Sequence, residues 1–260
     1  MTTLKKGSKG NEVKRLQRLL HLTETGIFDK TLEDAVKAYQ KERNLVVDGI
    51  VGRKTWEKLL EEEINIKPAY INTHISPLKN RAVKYIAVHY TGGTTSKKGA
   101  ALSTKKVFLE PKRRASADFI VDDEEIIRVN PDLNNCYCWG VGDKKNIYSG
   151  GGRYYGIATN KNTVSIEICS NLKKGFSPTI PNHEGWYFTE AALANATKLI
   201  RYLLEKFDLP KYAVIRHYDV SGKICPGIVG WNNATVYSND GKKALRKNNS
   251  DLWNRFWAEI

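Results

Sequence analysis

Three side chains in this sequence are good donors for a borderline metal ion: His89, His217 and Cys225. His89 ends a short apolar run (Val83, Tyr85, Ile86, Ala87, Val88), and His217 follows another (Ala213, Val214, Ile215). Cys225 comes eight residues after His217, inside Lys223-Ile224-Cys225-Pro226. Two imidazoles and a thiolate with a fourth position left to water describe a catalytic zinc site. The same atoms could serve as a Cys–His nucleophilic pair from His217 and Cys225. They could also be two structural histidines and an unrelated core thiol. His89 and His217 lie 128 residues apart, so spacing leaves all three readings open.

The elements that carry these residues read as strands mixed with helices over about 81–230, an α/β or α+β sheet with packed helices. The run before His89 fits a buried strand. Residues 119–121 and 126–129 flank an acidic turn, Asp122-Asp123-Glu124, and are expected to form a hairpin. Residues 163–169, TVSIEIC, alternate and are β-branched. Residues 100–110 and 189–207 are helical in pattern, with Thr189-Glu190 a good start for the second.

Residues 4–60 are different. Val13, Leu16, Leu19 and Leu20 share one helical face, Leu32, Val36 and Tyr39 another, and Trp56, Leu59 and Leu60 a third. Asp29 stands where a carboxylate caps free amides. Gly26-Ile27-Phe28 and Gly49-Ile50-Val51 echo each other. We expect a three-helix domain over 1–63, a linker over 64–80 carrying Pro68 and Pro77, and a C-terminal extension over 231–260. That extension ends in a helix whose Trp253, Phe256, Trp257 and Ile260 form a stripe expected to pack on the parent domain.

Composition narrows the class. The chain has 260 residues, 41% hydrophobic, enough for a packed core. The longest apolar run is far short of the ~20 residues a membrane span needs, and the start, MTTLKKGSKG, lacks the apolar core of a secretory signal. The net charge is +14; residues 1–63 hold 13 Lys/Arg and 11 Asp/Glu, so +12 falls on the rest. A surplus of that size suits a lysine-rich surface or attraction to polyanions, anionic wall polymers included. No helix-turn-helix, zinc-finger or RNP-type motif is present, so nucleic acid is not an expected partner. Cys136, Cys138, Cys169 and Cys225 do not make a disulfide scaffold and read as thiols.

Two resemblances sharpen this. Leu16-Gln17, Gly26-Ile27-Phe28-Asp29, Ala35-Val36-x-x-Tyr39-Gln40 and Val47-Asp48-Gly49-Ile50-Val51-Gly52-x-x-Thr55-Trp56 resemble the PG_binding_1 family of peptidoglycan-binding modules, one residue short after Phe28. Ala87-Val88-His89-Tyr90-Thr91, Ala115–Asp122, Thr163–Ile168, Arg216-His217-Tyr218-Asp219 and Gly222-Lys223-x-Cys225-Pro226 resemble the Amidase_2 family of zinc-dependent N-acetylmuramoyl-L-alanine amidases. The resemblance implies an α/β (α+β) zinc amidase domain with a mixed central sheet flanked by helices, preceded by a small all-α three-helix domain. It implies zinc on His89, His217 and Cys225, a catalytic carboxylate at Glu167 and transition-state stabilisation by Lys223. Read without it, Glu167 is a solvent-facing strand residue and Lys223 a loop lysine.

The chemistry is coherent: zinc lowers the pKa of bound water to ~7, a carboxylate moves its proton, and an ammonium meets the developing oxyanion. Three positions depart from the family pattern: Asp118 and Gly140 stand where members often carry histidine, and Ala117 where some carry tyrosine. The implied activity is hydrolysis of the amide between N-acetylmuramic acid and L-alanine, with bacterial cell-wall peptidoglycan as partner. The architecture resembles a phage or prophage endolysin, made in the cytoplasm and acting on the wall after release. The alternatives are a non-catalytic peptidoglycan-recognition protein on the same fold and, from another class, a basic nucleic-acid-binding protein.

Overall fold

The structure is a computed structural model that describes residues 1–142, 145–146 and 150–260. The chain divides into two compact units, Met1–Asn65 and Ile66–Ile260.

In the first unit, helices α1 (Asn11–Leu19), α2 (Lys30–Glu42) and α3 (Arg53–Glu63) enclose Val13, Leu16, Phe28, Leu32, Val36, Val51, Trp56 and Leu59. Asp29 caps α2 by accepting from the Leu32 amide at 2.9 Å. The two echoed turns have one cause. Buried Gln17 accepts from the Gly26 amide (2.8 Å) and donates to the Ile27 carbonyl (3.3 Å). Gln40, 23 residues later, accepts from Gly49 (2.9 Å) and donates to Ile50 (2.9 Å). Gly26 and Gly49 both have φ +72°, a left-handed backbone that favours glycine. Each glutamine thus satisfies the backbone of a turn that helix hydrogen bonds do not reach.

The second unit holds a six-stranded sheet in the order β1-β5-β4-β7-β3-β10. Its strands are β1 (Ile66–Pro68), β3 (Tyr85–Tyr90), β4 (Phe119–Val121), β5 (Ile126–Arg128), β7 (Thr163–Ile168) and β10 (Val214–Arg216). All neighbours run parallel except β4 and β5, the acidic-turn hairpin. Helices α4 (Ala100–Phe108) and α5 (Glu190–Phe207) pack on it, and Thr189 caps α5 by accepting from Ala192. Smaller pairs are β2 (Ile75–Pro77) with β6 (Cys136–Cys138), β8 (Asn171–Leu172) with β9 (Trp186–Tyr187), and β11 (Thr235–Tyr237) with β12 (Ala244–Lys247).

The stretch expected to be a linker, 64–80, instead supplies two strands. β1 joins the edge of the main sheet beside β5, and β2 pairs with β6. Pro68 and Pro77 each end an edge strand, where a missing N–H leaves no ladder partner unpaired. The final helix, α7 (Asp251–Glu259), buries Trp253 and Phe256 around Trp231. Trp257 stays half-exposed with the Lys211 ammonium 4.5 Å from its ring.

Candidate metal centre

Register brings the distant donors together. On β3, His89 pairs with Glu167 of β7, and Val88 pairs with Arg216 of β10. The residue after Arg216, His217, therefore emerges level with His89 and opens the short helix α6 (His217–Ser221). Arg216 holds that start: its guanidinium meets the Asp219 carboxylate at 2.7 and 3.0 Å, and its amide donates to the same carboxylate at 2.9 Å. Gly222, at φ +80°, turns the chain back. The Tyr218 amide then donates to the Cys225 carbonyl at 2.8 Å, which sets the thiol against the two rings.

His89, His217 and Cys225 are all buried, and their donor atoms lie within 4.8 Å of one another. The ring centroids are 4.5 Å apart, and Cys225 Sγ is 3.7 Å from His89 Nδ1. A tetrahedral site with Zn–N near 2.05 Å and Zn–S near 2.3 Å has an N···S edge of about 3.6 Å. Donor types, burial and separation therefore fit a metal ion. It is the one such cluster of His, Cys, Asp and Glu among the described residues.

The centre opens into a cleft of about 1060 Å³, which Glu167 and Lys223 also line. Glu167 is half-buried, but its Oε2 is fully enclosed and has no hydrogen-bond partner. Burial pushes its carboxyl up to about 8, with Lys223 and Arg113 pulling the other way. Lys223 itself is exposed on the cleft wall. Lys97, Lys98 and Arg113 add positive charge there. Nothing in the sequence marks them, because they sit in polar stretches without a pattern. Tyr90, beside His89, lines the cleft too, and burial with Cys225 and Glu167 nearby holds its hydroxyl protonated.

The departures from the family pattern have structural causes. Asp118 does not line the cleft. It forms a fully buried ion pair with Arg81 (3.0 Å) and accepts from Asn130 (2.6 Å) and from the Ser165 amide (2.8 Å). The carboxylate thus fixes β7 two residues before Glu167. Gly140 faces the same strand: a Cβ there would fall 2.1 Å from Ser165 Oγ, so a histidine could not replace it without moving β7. Ala117 is part of the core.

The fold and site define a class: a mixed-sheet domain presenting a buried His-His-Cys donor set beside a carboxylate. The chain belongs to the Amidase_2 family, N-acetylmuramoyl-L-alanine amidase, whose model matches residues 79–228. Residues 9–59 match the PG_binding_1 model, a peptidoglycan binding domain. Among curated relatives, the N-acetylmuramoyl-L-alanine amidase CwlH of Bacillus subtilis is 33% identical over 145 residues, 56% of this chain and 48% of the relative. CwlL of Bacillus licheniformis, another such amidase, is 29% identical over 162 residues, 60% of this chain and 39% of the relative. The match thus spans less than half the length of either. A solved catalytic domain of XlyA is 24% identical, covering 75% of this chain and 99% of that one, with a TM-score of 0.47. No helix among the described residues is long and apolar enough to cross a membrane.

Proposed function

We propose that this protein is an endolysin-type peptidoglycan hydrolase that cleaves the amide joining N-acetylmuramic acid to the L-alanine of the stem peptide. The observation that carries the reading is the convergence of His89, His217 and Cys225 beside Glu167 in one cleft. Those three side chains would hold zinc, which when bound supplies a Lewis acid and a lowered water pKa. With zinc held there, the Glu167 carboxyl would be drawn back toward its ionised form against the burial that raises it.

The chain's own groups do the rest. Glu167 Oε2 takes the proton of the attacking water and gives it to the amine as the C–N bond breaks, leaving a lactyl carboxylate and a free L-alanine amino group. The Lys223 ammonium stabilises the charge that grows on the carbonyl oxygen. The α1–α3 unit would bind the wall and raise the local concentration of substrate. The wall is the proposed site of action, and bacteriophage lysis the proposed setting.

The test is to incubate purified wall with the protein, with chelated protein and with Cys225→Ser, and to assay the released ends. New L-alanine amino termini without new reducing sugars, lost on chelation and restored by zinc, are the expected result. New reducing ends would identify a glycosidase and overturn the reading.

A further inference from the structure

The β11–β12 hairpin lies beyond the residues matched by the family model. Its turn and second strand carry Lys242, Lys243, Arg246 and Lys247, all exposed. Among the described residues none of the four is in an ion pair. Asp240, the acid beside them, is held by the Ser238 hydroxyl (2.6 Å) and the Lys242 amide (3.1 Å). At ~3.3 Å per residue the four cations spread over about 15 Å, two in the turn and two, Arg246 and Lys247, on opposite faces of β12, which is exposed on both.

The hairpin is firmly built. Buried Asn182 donates to the Thr235 carbonyl (2.9 Å), and its own carbonyl accepts from the Tyr237 amide (3.1 Å). Buried Asn248 donates to Asn182 (3.3 Å) and accepts from the Gly230 amide. At the turn, Asn239 donates to the Gly175 carbonyl (2.6 Å) and accepts from the Ser177 amide (2.7 Å). Exposed Lys173 and Lys174 directly precede Gly175. Further along the same loop, which is closed by β8 and β9, Pro181 lines the metal cleft and its carbonyl accepts from Tyr90 at 3.4 Å. One loop therefore joins the cationic hairpin to the rim of the cleft.

We propose that the hairpin, with Lys173 and Lys174, is a docking surface for a linear phosphodiester-linked polyol polymer of the cell wall. The step from polyanion to wall polymer rests on the hydrolase reading above. Single charges repeated along a flexible chain can wrap an exposed hairpin that carries flexible ammoniums and one guanidinium on both faces. Bases have little to stack on: residues 238–247 contain no aromatic side chain, and the hairpin's one aromatic residue, Tyr237, is only half-exposed. A polymer held there would keep the cleft beside the wall it is attached to.

The experiment uses the full chain and fluorescently labelled poly(glycerol phosphate), with oligo(dT) of equal charge as comparator. The variants are Lys242→Ala/Lys243→Ala/Arg246→Ala/Lys247→Ala and a version exchanging Lys and Arg at the same four positions. The parent should bind poly(glycerol phosphate) with an affinity that falls at least about tenfold between 50 and 200 mM salt. The alanine variant should bind at least about tenfold more weakly with a flatter salt slope, and the exchanged version should bind like the parent. Unchanged binding by the alanine variant, or tighter binding of oligo(dT) by the parent, would overturn the proposal. Cleavage of wall stripped of phosphate polymer is assayed in parallel and should be equal for parent and alanine variant. Failure of that cleavage in both would count against the hydrolase reading while leaving the binding result intact.

Discussion

The two units of this chain solve the same problem, fixing irregular backbone, at opposite ranges. In Met1–Asn65, Gln17 and Gln40 each clamp a turn nine residues downstream through their own side-chain amides. In Ile66–Ile260, Arg81 and Asp118 reach across the fold to tie carbonyls and an amide on two distant segments, Cys136 and 160–165, and His89 and His217 meet only through sheet register. The first unit is therefore assembled from local, repeated parts. In the second, each functional atom depends on contacts between residues far apart in the chain. Damage should stay local in the first and reach the chemistry in the second.

The largest expected effect breaks the comparison at the donors. Cys225→Ser should reduce wall hydrolysis by at least about 10³-fold, while wall binding by the α1–α3 unit is retained. A pull-down with insoluble wall, run beside the amino-end assay, separates the two. Next, Asp118→Asn leaves Arg81 as a buried charge without its counterion, which costs about 3–5 kcal/mol. Hydrogen exchange should show β4 and β7 loosening and hydrolysis falling, with α1–α3 protection unchanged.

Glu167→Gln sharpens the same contrast through pH. In the metal-free protein the carboxyl is raised to about 8 from a usual value of 4.5, so the folded state holds its proton more tightly than the unfolded chain. Its stability should fall as pH rises from about 4.5 to 8 and level off beyond, by a total on the order of 3–5 kcal/mol. Denaturant midpoints of chelated protein across that range should show the slope, and Glu167→Gln should flatten it while losing activity. The smallest effect is Gln40→Ala. It strands the Gly49 amide and the Ile50 carbonyl and should cost the first unit about 2–3 kcal/mol. It should weaken wall binding and leave cleavage of a soluble muropeptide unchanged.

What the sequence discloses follows the same division. The α1–α3 core, the Asp29 cap and the paired glycine turns are readable because each rests on spacing within about a dozen residues. The β4–β5 hairpin and helix α5 are readable for the same reason. The approach of His89 to His217 and Cys225 is not, because strand periodicity reveals a face but not which strand lies alongside. There the residues alone leave a metal site, a nucleophilic pair and unrelated core residues open, and the motif resemblance decides between them. Residues 64–80 misled for a physical reason. Two prolines and a lost helical period look like a connector, yet an edge strand tolerates proline at its end. The meaning of Asp118 was hidden because its partner, Arg81, lies 37 residues away in a stretch without a motif.

β10 is three residues long and sits at the margin of the main sheet, with β3 as its neighbour there. An ion gripped by His89 on one side and by His217 and Cys225 on the other would act as a rivet across that seam. Stripping it would unfasten α6 and the returning loop before the interior yields. Chelation should then expose the bonds around Gly222 to proteases well below the temperature at which the whole unit melts, and refilling the site should seal them again.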